Sequence, residues 1–90
     1  MFYVVSYDIP DNKKRLRAAK TLLDFGDRVQ ESVFECRLEN DRLGRLIKRL
    51  EKIAGEEDSI LIYAVCAKCE ENLVRLGRKD DRKNEKVFIV

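Results

Sequence analysis

Residues 1–10, MFYVVSYDIP, decide how this 90-residue chain is read. Phe2 to Ile9 is rich in β-branched and aromatic side chains and carries one charge, Asp8, so it reads as a strand. Pro10 donates no ladder hydrogen bond and pushes Ile9 toward extended geometry, which ends the strand there. Phe2 and Val4 fall on one side, and Tyr3, Val5 and Tyr7 on the other. Both sides are apolar, so both faces need a cover. A carboxylate at the mouth of such a strand is costly unless water, a cation or a donor meets it. Asp8 is therefore the first functional candidate.

Working outward, Asp11 is a fair N-cap for a helix running to about Phe25, with Gly26 as its stop. Leu16, Ala19, Leu22, Leu23 and Phe25 form its apolar side, and Lys13, Arg17 and Lys20 share its wet face. Residues 28–38, RVQESVFECRL, have strand composition, compatible with one strand or with two short ones around a break. A second helix is expected from Asp41 to Ala54, capped by Asn40 and ended by Gly55. Leu43, Leu46, Leu50 and Ile53 make its apolar stripe. Arg42, Arg45, Arg49 and Lys52 make a basic stripe beside it, either a solvated face or a surface for phosphates.

Residues 58–66, DSILIYAVC, form a third strand that is apolar almost throughout. Two helices cover one face of a small sheet and leave the other. A second copy of the chain on that face, in a two-fold homodimer, is the simplest cover. Asn72 to Gly77 reads as a short strand ending in a turn, residues 78–86 as a charged loop, and KVFIV at 86–90 as a docking strand. The order of elements implies a single α+β domain over residues 1–90, a ferredoxin-like sandwich.

Composition narrows the chemistry. The net charge is +2, but 40% of residues are charged, and basic residues cluster at 13–20 and 75–86. Such clusters in a near-neutral chain suit local contact with anions. Histidine is absent, which removes the usual general base, the usual zinc ligand and every Ser-His or Cys-His arrangement. Hydrolysis here would run through carboxylates and a metal-activated water. No apolar stretch approaches the roughly 18 residues of a membrane span, and the chain reads as cytoplasmic. Cys66 and Cys69 form a lone CxxC with Cys36 far off in sequence. Three thiolates fall short of a four-ligand zinc site, so the cysteines read as buried or inert thiols.

Asp8 also has a plainer reading, as a residue that shapes the turn before the helix. One carboxylate is a poor Mg²⁺ site, since the ion takes six oxygen ligands in an octahedron. In a dimer, two Asp8 carboxylates meeting at the two-fold axis would share one ion, with water in the other positions.

SYDIPDNKKRLR at 6–17, GDRVQESVFE at 26–35 and DSILIYAVC at 58–66 closely resemble, in this order, the CRISPR-associated protein two family. The resemblance implies a ferredoxin-like homodimer whose C-terminal strands cross to the partner. It implies that Asp8 is the acidic residue that binds Mg²⁺ across the dimer. It places Tyr7, Arg15, Arg17, Arg28 and Phe34 at positions linked to nuclease activity, the arginines on phosphates and Phe34 packing or stacking near the site. The implied activity is metal-dependent cleavage of single-stranded RNA or duplex DNA. The other implied role is a scaffold in spacer acquisition that bridges the CRISPR integrase (CRISPR-associated protein one) and holds duplex DNA.

Overall fold

The opening strand is central in the sheet. In the computed structural model, which describes residues 1–77, β1 (Phe2–Asp8) pairs antiparallel with β3 (Val33–Arg37) on one side and β4 (Ser59–Val65) on the other. β2 (Asp27–Gln30) pairs with β3, giving the order β2-β3-β1-β4. Helices α1 (Asn12–Leu23) and α2 (Asn40–Glu51) follow β1 and β3. This is the ferredoxin-like α+β arrangement expected from the sequence. Among the described residues there is no helix long and apolar enough to cross a membrane.

Alternation along β1 sorts its side chains as expected. Tyr3, Val5 and Tyr7 are buried with Phe34, Cys36, Ala18, Ala19, Leu22, Leu46 and Leu50 in the core between sheet and helices. At about 25 cal/mol per Å² of apolar surface removed from water, this layer is the main source of stability. Asp11 caps α1 as expected, its carboxylate accepting the Lys14 backbone N–H at 2.9 Å. The inward face of α1 is Ala18, Ala19, Thr21 and Leu22. Leu16 and Leu23, expected on that face, are 62% and 57% exposed. The two alanines let the helix sit close to the sheet, and the larger leucines, seven residues apart, fall together on one flank of the contact line.

Residues 28–38 take the second of their two readings, two strands interrupted at Glu31 and Ser32, with a register shift between Arg28 and Gln30. Other boundaries differ from expectation. Helix α2 starts one residue early, so Glu39 is its N-cap in place of Asn40, and no side chain there bonds the helix end. Asn72 to Gly77 is not a strand; a short helix, α3 (Ala67–Glu71), precedes it and the chain continues without ladder pairing. The expected charged loop and terminal strand, 78–90, lie outside the described residues.

Gly26 joins α1 to β2 and passes close to β3. A Cβ there would lie 2.9 Å from the Cys36 Cα and closer still to the Glu35 carbonyl oxygen. Only glycine fits this approach.

The sheet face away from α1 and α2 is partly covered by the chain itself. Arg37 stacks over the Phe2 ring at 4.9 Å and pairs with Glu70 of α3. Arg75 reaches Glu35 at 2.6 Å, with side-chain exposures of only 15% and 8%. Among the described residues nothing covers the remainder, toward Asp8, where Leu61 is 50% and Tyr63 54% exposed.

Candidate functional site

Asp8 is the last residue of β1, exposed, and opposite Ser59 in the β1–β4 register. Strand alternation puts it on the same sheet face as Ser6, Val4 and Phe2. In the pairing, Ser6 faces Leu61 and Val4 faces Tyr63. The carboxylate thus stands at the rim of the open face, beside its exposed apolar residues. None of the four ion pairs among the described residues uses Asp8.

Tyr7 points the other way and is buried. Its ring stacks on Phe34, with centroids 6.3 Å apart and planes inclined by 28°. Its hydroxyl donates to the Glu31 carbonyl and accepts from the Arg28 guanidinium, both at 3.4 Å. Arg28 also lies 5.4 Å above the Phe34 ring. Phe34 is fully enclosed. Tyr7, Arg28 and Phe34 therefore make one cluster, which ties β1 to the β2–β3 hairpin directly behind Asp8.

Arg15 serves the turn after Asp8. Its guanidinium donates to the Ile9 carbonyl at 2.9 Å and the Pro10 carbonyl at 3.2 Å, and also bonds the Asn12 side chain. These contacts fix the exit of β1 and so the position of Asp8. Arg17 is not part of this group. It is exposed on α1 and lines an open groove with Lys20, Asp24, Arg49 and Lys52, between the two helices and away from the face of Asp8.

The basic stripe of α2 is partly committed to structure. Arg42 and Arg49 lie over the Phe25 ring at 4.7 and 5.5 Å, donating to the Asp24 carbonyl and carboxylate respectively. None of the four ion pairs among the described residues was foreseen from sequence, Glu35 with Arg75 and Asp58 with Lys14 included. The Asp58 carboxylate accepts the Gly55 backbone N–H at 2.7 Å and the Lys14 ammonium at 3.2 Å. The Gly55 bond first, then Lys14, holds its pKa below the usual carboxylate value.

Among the described residues, no group of three or more His, Cys, Asp or Glu side chains could hold a metal ion. One chain presents the Asp8 carboxylate at this rim, a hard oxygen donor that by itself would fill only part of the six-ligand shell of Mg²⁺.

A β2-β3-β1-β4 antiparallel sheet, with two helices on one face and an exposed carboxylate at the end of its central strand on the other, defines a ferredoxin-like α+β protein with an acidic rim. Over residues 1–73 the chain matches the family described as CRISPR associated protein Cas2. It is 43% identical over 79 residues to the CRISPR-associated endoribonuclease Cas2 1 of Chloroflexus aurantiacus, covering 86% of this chain and 85% of that one. The crystal structure of Streptococcus pyogenes Cas2 superposes with a TM-score of 0.74 at 37% identity, covering 86% of this chain and all of that one. A chain of a partial Cas6-RT-Cas1–Cas2 complex superposes with a TM-score of 0.69 at 29% identity, over 76% of this chain and 81% of that one. The chain belongs to the CRISPR-associated Cas2 family, as its sequence motifs imply.

Proposed function

We propose that this chain acts in CRISPR adaptation as a homodimer and cleaves phosphodiesters with Mg²⁺ shared by the Asp8 carboxylates of two copies. One observation carries the reading: Asp8 stands exposed at the rim of a sheet face whose neighbouring Leu61 and Tyr63 are half exposed. A second copy laid on that face would bury the apolar residues and bring a second carboxylate to the first. The name of the Chloroflexus relative, an endoribonuclease, supports the activity.

In this reading each side chain has a defined task. Asp8 holds the ion, which when bound supplies Lewis acidity at the scissile phosphate. Arg15 keeps the strand exit rigid, so the carboxylate does not swing away from the ion. Tyr7, Arg28 and Phe34 brace the strand from behind. Substrate phosphates away from the scissile one are met by exposed basic residues, of which Arg17, Lys20 and Lys52, in the groove between the helices, are candidates. The substrate is single-stranded RNA or duplex DNA.

Asp8→Asn keeps the shape and removes the charge. It should abolish Mg²⁺-dependent cleavage while the dimer persists in sedimentation. Full cleavage by the rigorously repurified variant would refute the catalytic reading.

The likeness to a chain of a Cas1–Cas2 complex favours a second reading, a scaffold that bridges the integrase and duplex spacer DNA without turnover. Here binding is independent of sequence and falls steeply with salt. Charge reversal at Arg42, Arg45 and Arg49 should weaken it, and unchanged binding would remove this stripe as the DNA surface. Integration supported fully by Asp8→Asn would show that cleavage is dispensable in that role.

A further inference from the structure

Cys66 and Cys69 take no part in the site described above. The sequence reads them as inert thiols, and the structure gives them a different setting. Both are exposed, whereas Cys36 is buried in the core. Cys66 ends the run from β4 and is the N-cap of α3, with its backbone extended at φ −70° and ψ 163°. Its sulfur accepts the Cys69 backbone N–H at 3.3 Å. One helical turn therefore holds the two cysteines together at the surface, with the Cys66 sulfur against the Cys69 backbone. Residues three apart on a turn have Cβ atoms about 5–6 Å apart, and a disulfide asks for about 3.5–4.5 Å, so closure needs the backbone to move by about 1–2 Å at this helix end, where Cys66 is already extended.

We propose that Cys66 and Cys69 form a reversible oxidation site, a dithiol that closes to a disulfide by exchange with small-molecule disulfides. Cys66 is the attacking sulfur. Hydrogen bonding from Cys69 N–H favours its thiolate and lowers its pKa, while the neighbouring Cys66 sulfur and its charge raise that of Cys69. In the first step the Cys66 thiolate attacks one sulfur of glutathione disulfide. A new S–S bond forms, the old one breaks, and one glutathione leaves as thiolate and takes up the Cys66 proton. In the second step the Cys69 sulfur attacks the Cys66 sulfur of the mixed disulfide. The second glutathione leaves with the Cys69 proton. The two cysteines lose two electrons and two protons, and one glutathione disulfide becomes two glutathiones. Closure staples the first turn of α3, the helix whose Glu70 holds Arg37 over Phe2. Cys36 stays out of the exchange because burial first, then Asp27 and Glu35, push its thiol up to about 11.

The test uses the full reduced chain in glutathione and glutathione disulfide mixtures, quenched by alkylation and read by intact mass and peptide mapping. The expected product is the chain lighter by two hydrogens, with Cys66 linked to Cys69 and Cys36 alkylated only after unfolding. Its closure constant should exceed that of the urea-unfolded chain by about tenfold or more, because the turn raises the effective concentration of one thiol at the other. Cys69→Ser should stall as a glutathione mixed disulfide at Cys66. Separate glutathione adducts on both cysteines would overturn the proposal. So would links between chains, free thiols in excess glutathione disulfide, or equal closure constants in the folded and unfolded chain.

Discussion

Phe34 offers a sharp test of how the region behind Asp8 is built. Its ring is fully enclosed, stacks on Tyr7 at 6.3 Å and lies under Arg28 at 5.4 Å. Cutting a buried phenylalanine to alanine costs about 3–5 kcal/mol. The upper part of that range is expected here, because the Tyr7 ring contact adds about 0.5–1.5 kcal/mol and the Arg28 contact roughly 0.5–1 kcal/mol. A domain of this size holds only about 5–13 kcal/mol in total, so Phe34→Ala should lose a third or more of it. Phe34→Leu keeps most of the volume and should cost about 1–1.5 kcal/mol. Urea unfolding at fixed protein concentration measures both. A double-mutant cycle of Phe34→Leu with Arg28→Met should return a coupling of roughly 0.5–1 kcal/mol. Phe34→Ala losing less than about 1 kcal/mol while abolishing nucleic-acid binding would refute the reasoning. The ring would then be a stacking platform for bases, as one sense of the sequence resemblance implies, and not a brace for the strand.

Other outcomes follow from the same contacts. Gly26→Ala forces a Cβ onto the Glu35 and Cys36 backbone, which cannot swing aside, and should lower stability by about 1–3 kcal/mol in chemical denaturation. Asp58 has a folded pKa below its unfolded one, so its contribution is complete above the ordinary carboxylate value and fades as pH falls through the lowered one. Thermal melts of Asp58→Asn should therefore lie below wild type at neutral pH and converge on it in acid; a constant gap would contradict this. Tyr63→Glu places a charge on the open sheet face and should raise the dimer dissociation constant by about a hundredfold, roughly 3 kcal/mol, in sedimentation. An unchanged constant would move the dimer contact elsewhere.

The fold was legible largely because β1 states its surroundings. Its two apolar sides, Pro10 after Asp8 and the Asp11 cap all read correctly from local chemistry. What stayed hidden depends on distant partners. The break at Glu31 and Ser32 leaves strand-like residues on both sides, and only pairing with β1 shows where one strand ends. Leu16 and Leu23 match a helical period, yet the alanines beside them settle which face packs. The five residues of α3 are too few to show a helical period, although Cys66 caps them and Ala67, Lys68, Glu70 and Glu71 are good helix formers. The Glu35–Arg75 pair spans 40 residues and has no local sequence signal. The candidate site divides the same way. Asp8 is conspicuous as a lone charge, and Tyr7, Arg28 and Phe34 do converge. Arg17 lies apart, because a helix turn sends it to the groove between α1 and α2.

The account turns on Asp8 as half of a shared metal site, and Mn²⁺ as a paramagnetic stand-in for Mg²⁺ measures that most directly. Electron paramagnetic resonance titration of the dimer should show one tightly held ion for every two chains, lost in Asp8→Asn while the dimer remains. One ion per chain, or binding that survives the substitution, would contradict it.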